Sequence, residues 1–205
     1  MMSIRMYRPG DEDAAYYVCM KTGGHGKDGE PFFRDDPDAL GRIYVGPYLK
    51  FSPEFAIMVE DAGGVVGYAL ATPDTKTFFN RYENEWRPDL VAQFPPPTGD
   101  SSTWDRVKET HNLYHNPDYF SPEPYDQYPA HLHIDLLPQA QGQGYGRKMI
   151  ERLLDLLQNA DVAGVHLGMS AVNEPAYGFY KTLGFHELCR DDESIYMGKV
   201  FQEVA

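Results

Sequence analysis

HLHIDLLPQAQGQGYGRK, residues 131–148, joins two patterns that lead to different chemistry. The first half spaces His131, His133 and Asp135 two apart. The second brings Gly142, Gly144 and Gly146 into one turn. Alternating polar and apolar residues predict a strand, on which side chains two apart share a face. His131, His133 and Asp135 then line one face, while Leu132, Ile134 and Leu136 point the other way into a core. Pro138 ends the strand. The glycines lead into GRKMIERLLDLLQNA (146–160), which places Ile150, Leu153, Leu154 and Leu157 on one helical face.

Two histidines and an aspartate are competent zinc ligands. Ligands along one flat strand converge poorly on a single ion, however, and Leu136 stands where another ligand would be needed. The other histidines (His25, His111, His115, His166 and His186) show no ligand spacing. No metal is expected. The glycine half has a clearer use. Glycines let the backbone approach a ligand and turn its N–H groups toward an anion, and a helix starting there adds its positive end. Arg147 contributes one formal charge. The spacing matches neither G-x-G-x-x-G nor G-x-x-x-x-G-K-[ST], so dinucleotide-binding and P-loop readings do not apply.

Outward from this unit, SIRMY suggests a strand, followed by a helix from near Gly10 with Asp11, Glu12 and Asp13 at its start. Residues 23–37 read as a loop. EFAIMVEDAGGVVGYALAT (54–72) is a hairpin turning at Asp61, Gly63 and Gly64. A helix over 74–91 is expected, with Pro88 as its difficulty. Pro95, Pro96 and Pro97 end it. A long irregular stretch runs to Pro129, carrying Trp104, Tyr114, Tyr119, Phe120, Tyr125 and Tyr128. Such a stretch is a lid over a substrate or an aromatic-stapled surface insertion.

Past the glycine helix, VAGVHLGMS (162–170) reads as a strand. EPAYGFYKTLG (174–184) reads as a short helix, with Asn173 as cap, Pro175 in its first turn and Gly184 as a left-handed stop. Strands around 185–188 and 194–201 close the chain. The order β-α-β-β-(insertion)-β-α-β-α-β-β is that of a mixed α/β sheet.

The 205 residues fit one domain over 1–205. No apolar run approaches the roughly 20 residues that span a bilayer. The opening MMSIRMYRPGDED lacks the features of a signal peptide. Cys19 and Cys189 are no disulfide framework, so a reduced, cytoplasmic protein is expected. A net charge of −13 argues against sequence-independent nucleic-acid binding and can steer a cationic substrate. An anionic cofactor would need local dipoles such as those at the glycines.

Gln141-Gly142-Gln143-Gly144-Tyr145-Gly146 resembles the Q/R-x-x-G-x-G/A motif of the GCN5-related N-acetyltransferases (GNATs). NEPAYGFYKTLGF (173–185) resembles their second signature, one helix and one strand downstream. The resemblance is close over about 131–201. Within the family these stretches look like the acetyltransferase-like domain at the C-terminus of O-GlcNAcase and its free-standing bacterial relatives. It implies a GNAT-type, mostly antiparallel sheet flanked by helices, with the aromatic-rich insertion (about 74–130) before the fourth strand.

It implies acetyl-CoA as cofactor. Backbone at Leu136 and Leu137 would run beside the pantetheine, and amides of Gln141, Gly142, Gln143, Gly144, Tyr145, Gly146 and Arg147 would hold the pyrophosphate. Asn173 would bond the pantetheine arm, and Tyr180 would lie by the sulfur. A phenol with a pKa near 10 could protonate the departing thiolate. An amine would attack directly, with no acyl-enzyme. Its proton needs an acceptor, for which Asp135 is the first candidate, His133 and His131 follow on the same face, and His166 is weaker. Cys19 and Cys189 fall outside both motifs. A second class, an acyl-CoA-binding or partner-recognition module that has lost catalysis, shares the same fold. The acceptor amine stays open, as does a homodimer. No nucleic acid or membrane partner is expected.

Overall fold

The computed structural model describes residues 2–24, 27–119 and 126–201. Phe120 and Tyr125 of the aromatic stretch, and His25, lie outside the described residues. Among these, seven strands form one sheet: β1 (Ser3–Met6), β2 (Ala56–Asp61), β3 (Gly64–Thr72), β4 (Ala130–Leu136), β5 (Gly164–Ser170), β6 (His186–Arg190) and β7 (Ser194–Val200). Their order is β1-β2-β3-β4-β5-β7-β6. Every neighbouring pair is antiparallel except β4 and β5. The expected mixed, mostly antiparallel sheet is the one found.

The β2–β3 hairpin closes as its turn residues predict. Asp61 Oδ1 accepts the Gly63 N–H at 2.7 Å, and Gly64 takes φ +123°. Helix α1 (Glu12–Thr22) buries Ala15, Val18 and Cys19 and packs on β3 and β4. Two short helices, α2 (Gly41–Tyr44) and α3 (Gly46–Phe51), follow the 23–37 loop. Neither is foreseen, because each is too short to show an apolar period and neither has a side-chain cap.

The expected 74–91 helix is present and runs without a gap from 75 to 93, with a π-type turn inside it. Helix α4 (Thr75–Arg81) starts on Asp74, whose side chain accepts the Thr77 N–H. A π-type turn over Tyr82–Trp86 leads into α5 (Arg87–Gln93), and Pro88 sits in its first turn. The wider π-type turn just before it is where the helix adapts to the proline. The irregular stretch after Pro97 is corrected: it holds α6 (Arg106–His115), begun by Asp105 accepting the Lys108 N–H at 2.8 Å. Only Thr110 and Tyr114 of α6 are buried, too few to show a period. The Tyr114 hydroxyl donates to the Ala39 carbonyl and ties the insertion to the 23–40 region.

Helix α7 (Tyr145–Asn159) buries Met149, Ile150, Leu153, Leu154 and Leu157 and packs on β2, β3 and β4. Truncating one of these leucines to alanine would cost about 2–5 kcal/mol. Helix α8 (Glu174–Thr182) starts with Asn173 Oδ1 accepting the Ala176 N–H at 3.2 Å. Gly184 ends it at φ +84°, its N–H bonded to the Lys181 carbonyl. The Arg147 guanidinium donates to Thr182 Oγ1 at 2.8 Å, so the start of α7 and the end of α8 lie side by side.

Candidate active site

β4 and β5 are in register only at Ala130–Val165 and His131–His166. β5 then pairs with β7 along its whole length, and β4 with β3. Their other ends part. A cavity of about 730 Å³ reaches this gap, lined by His133 and Asp135 of β4, Gly168 and Ser170 of β5, and Asn173 and Tyr180. Residues singled out from two separate sequence motifs thus share one cavity.

At one end of the gap lies the glycine turn. Gly142 and Gly144 take φ +69° and +80°, and Gly144 caps α7. The Gln141 N–H goes to the Pro138 carbonyl and the Lys148 N–H to the Gly144 carbonyl. Among the described residues no protein acceptor takes the N–H groups between them. They are the open donors of a helix start. A Cβ built on Gly142 or Gly144 would meet nothing within 4 Å, so the space over the turn is open. Side chains of the turn fold back: Gln143 Nε2 donates to the Gln139 carbonyl, Gln141 Nε2 to the Leu136 carbonyl, and the Tyr145 hydroxyl to the Met2 carbonyl. Arg147 also reaches Glu151 at 3.3 Å.

Leu136 and Leu137 differ. The Leu137 N–H donates to the Val66 carbonyl, and its carbonyl accepts from Ala140. The Leu137 N–H is therefore taken by the β3 ladder and is not free for a pantetheine. Alternation along an antiparallel pair then turns the backbone of Leu136 away from β3, toward the gap.

Asp135 sits directly opposite Tyr68 of β3. Its Oδ2 accepts the Tyr68 hydroxyl at 2.5 Å and stands 3.0 Å from His133 Nε2. A carboxylate there draws the imidazole proton to Nε2 and leaves Nδ1 as the lone-pair nitrogen. Nδ1 has no partner among the described residues and is not sealed from solvent. Tyr44 of α2 stacks on the ring at 5.6 Å. His131 instead bonds Thr75 through Nδ1 and lies buried among Tyr48, Phe78 and Phe79. His166 bonds the Tyr128 carbonyl. Among the described residues no three His, Cys, Asp or Glu are grouped to hold a metal ion.

Tyr180 is buried, and burial followed by the charge of Asp135 pushes its phenol well above the ordinary value. It stays protonated. Cys19 is also buried in this wall. Burial, then Asp135, raises its thiol far above the usual range, and it shares a hydrogen bond with Tyr68. Cys189 is exposed on β6. Tyr68 and Tyr44 were not among the residues the sequence singled out. Alternation in VVGYALAT places Tyr68, Leu70 and Thr72 on one face, but only the β3–β4 register sets Tyr68 against Asp135.

The sequence pattern described as the Acetyltransferase (GNAT) family matches residues 27–185. The chain belongs to this acetyltransferase family. Family members use acetyl-CoA, and the open N–H groups over a space clear of side chains fit its pyrophosphate. The crystal structure of SsHAT is 39% identical and superposes with a TM-score of 0.89, covering 98% of this chain and 99% of that one. Protein O-GlcNAcase of Rattus norvegicus is 26% identical over 189 residues, 92% of this chain and 20% of that protein. The chain thus spans about one fifth of the length of that curated relative. The fold is shared with yncA of Salmonella typhimurium, described as a putative acetyltransferase with its cofactor acetyl-CoA, at a TM-score of 0.57, 16% identity, and coverage of 100% and 96%. Among the described residues no helix is long and apolar enough to cross a membrane.

Proposed function

We propose that this acetyltransferase moves the acetyl group of acetyl-CoA directly onto an amine, with His133 as base and Tyr180 as acid. The observation that carries the reading is the shared cavity where β4 and β5 part, which brings His133, Asp135, Asn173 and Tyr180 together. Bound acetyl-CoA supplies an acetyl group activated as a thioester.

The N–H groups of Gly142 through Arg147 hold the pyrophosphate with the positive end of α7. The Asn173 amide bonds the pantetheine arm, its Oδ1 being already used on Ala176. The Leu136 N–H faces the developing oxyanion. His133 Nδ1 takes the ammonium proton, and Asp135 steadies the imidazolium through Nε2. The free amine forms its bond to the acetyl carbon as the carbon–sulfur bond breaks, and the Tyr180 hydroxyl protonates the departing thiolate. The second proton, shed by the new amide nitrogen, restores the Tyr180 phenol. This reading moves Asp135 from base to the residue that orients the base, because its Oδ2 is already engaged by Tyr68 and His133. The raised Cys19 thiol stays protonated, which disfavours a covalent route. Two free cysteines suit a reducing cytoplasm.

Calorimetric titration with acetyl-CoA, together with CoA release over a panel of primary amines, tests the reading. Binding with amine-dependent release, lost in His133→Asn, is the expected result. Tight binding with no release on any amine would leave an acyl-CoA-binding module.

A further inference from the structure

Next to the catalytic cavity is a second one of about 370 Å³. The two share Tyr44, Leu113 and His133 as a common wall, so whatever enters one can present a group to the other at His133. Rings of Tyr44, Tyr48, Phe78, Phe79, Tyr119 and Tyr196 line it. Among its described lining residues there is no Lys or Arg, and Asp118 is its one carboxylate. Its two inner histidines add no positive charge, because burial pushes both His131 and His166 below the ordinary value. Such a wall attracts a cation through ring faces and rejects an anion.

The hydrogen bonds at His131 also name a polarity. Thr75 Oγ1 donates its proton to the Pro129 carbonyl at 2.8 Å. It can therefore only accept from His131 Nδ1, also at 2.8 Å, which fixes the imidazole proton on Nδ1. Nε2 is left as a bare acceptor, buried and without a partner. A sealed acceptor of this kind is unfavourable until a donor meets it. His131 lies two residues before His133 on the same strand face, about 6.6 Å along the backbone, which is close to the span of a four-carbon diamine.

We propose that the amine acceptor is an α,ω-diamine, or a molecule presenting two amino groups at that separation. One nitrogen is acetylated at His133, and the second, protonated nitrogen rests among the rings and donates to His131 Nε2. The inference builds on the transfer reading above, since it assigns the acetylated nitrogen to His133.

The test compares 1,4-diaminobutane, butylamine and 4-aminobutanoate as acceptors by CoA release. It also measures their equilibrium binding in the presence of CoA by the imidazole NMR signals of His131. The expected result is kcat/KM for the diamine about tenfold or more above butylamine, about 1.4 kcal/mol, with the amino acid poorest. His131→Phe should abolish the advantage of the diamine over butylamine. Should His131→Phe fail to fold, Asp118→Asn should lower the diamine preference several-fold. Equal rates for diamine and butylamine would overturn the proposal. If no amine is acetylated, the transfer reading fails on its own. Selective diamine binding that shifts the His131 signals would still support the cavity's assignment, and equal binding of diamine and butylamine would overturn it.

Discussion

Tyr68 and Asp135 face each other across the β3–β4 ladder, and the Tyr68 hydroxyl donates to Asp135 Oδ2 at 2.5 Å. The same oxygen bonds His133, so Tyr68 competes with the imidazole for one carboxylate oxygen. Tyr68→Phe leaves Asp135 Oδ2 to His133 alone and removes the hydroxyl that fixes the carboxylate. The kcat should fall about tenfold with acetyl-CoA affinity unchanged in calorimetry. Equal losses in kcat and in acetyl-CoA affinity would make Tyr68 a packing residue only.

Tyr180→Phe removes the proton proposed for the departing thiolate but keeps the ring packed on Phe179 and Phe185. General acids contribute about 10²–10⁴-fold. A drop of that order in kcat is expected, with acetyl-CoA affinity within about twofold in calorimetry. Matched losses in both would sink the general-acid role.

Gly144 sits at φ +80° at the start of α7. Gly144→Val would strain this position by roughly 1–2 kcal/mol and swing the N–H groups out of line. In thermal melts, wild type at about 100 times Kd should gain about 2.7 kcal/mol from acetyl-CoA. The variant should still fold and gain nothing. A preserved ligand shift would show that the pyrophosphate lies elsewhere.

Burial holds His131 and His166 neutral in the folded chain, whereas unfolded histidines titrate near 6.5. Below about pH 6.5 the unfolded chain binds more protons. The stability each contributes is thus whole above that pH and is lost as pH falls toward the folded value, by about 1.4 kcal/mol per pH unit for each group. Urea midpoints should drop between pH 7 and 5, and His131→Leu should flatten that drop. An unchanged slope would mean that His131 is protonated in the fold.

Alternation in AHLHIDLL, the glycine turn, the α7 apolar stripe and the Asn173 and Gly184 caps were legible because each signal spans a few residues. They settled the strand–turn–helix unit and placed His133 and Asp135 as candidates, while Asn173 and Tyr180 became candidates through the resemblance of 173–185 to the second family signature. The α6 helix stayed hidden because only Thr110 and Tyr114 are buried on it. The parting of β4 from β5, the pairing of Tyr68 with Asp135 67 residues away, the loss of the Leu137 N–H to the β3 ladder and the ring-lined cavity at His131 were decided by tertiary structure alone. Strand register and the packing of distant helices are set by contacts between segments, and no local period or cap encodes which residue will stand opposite which.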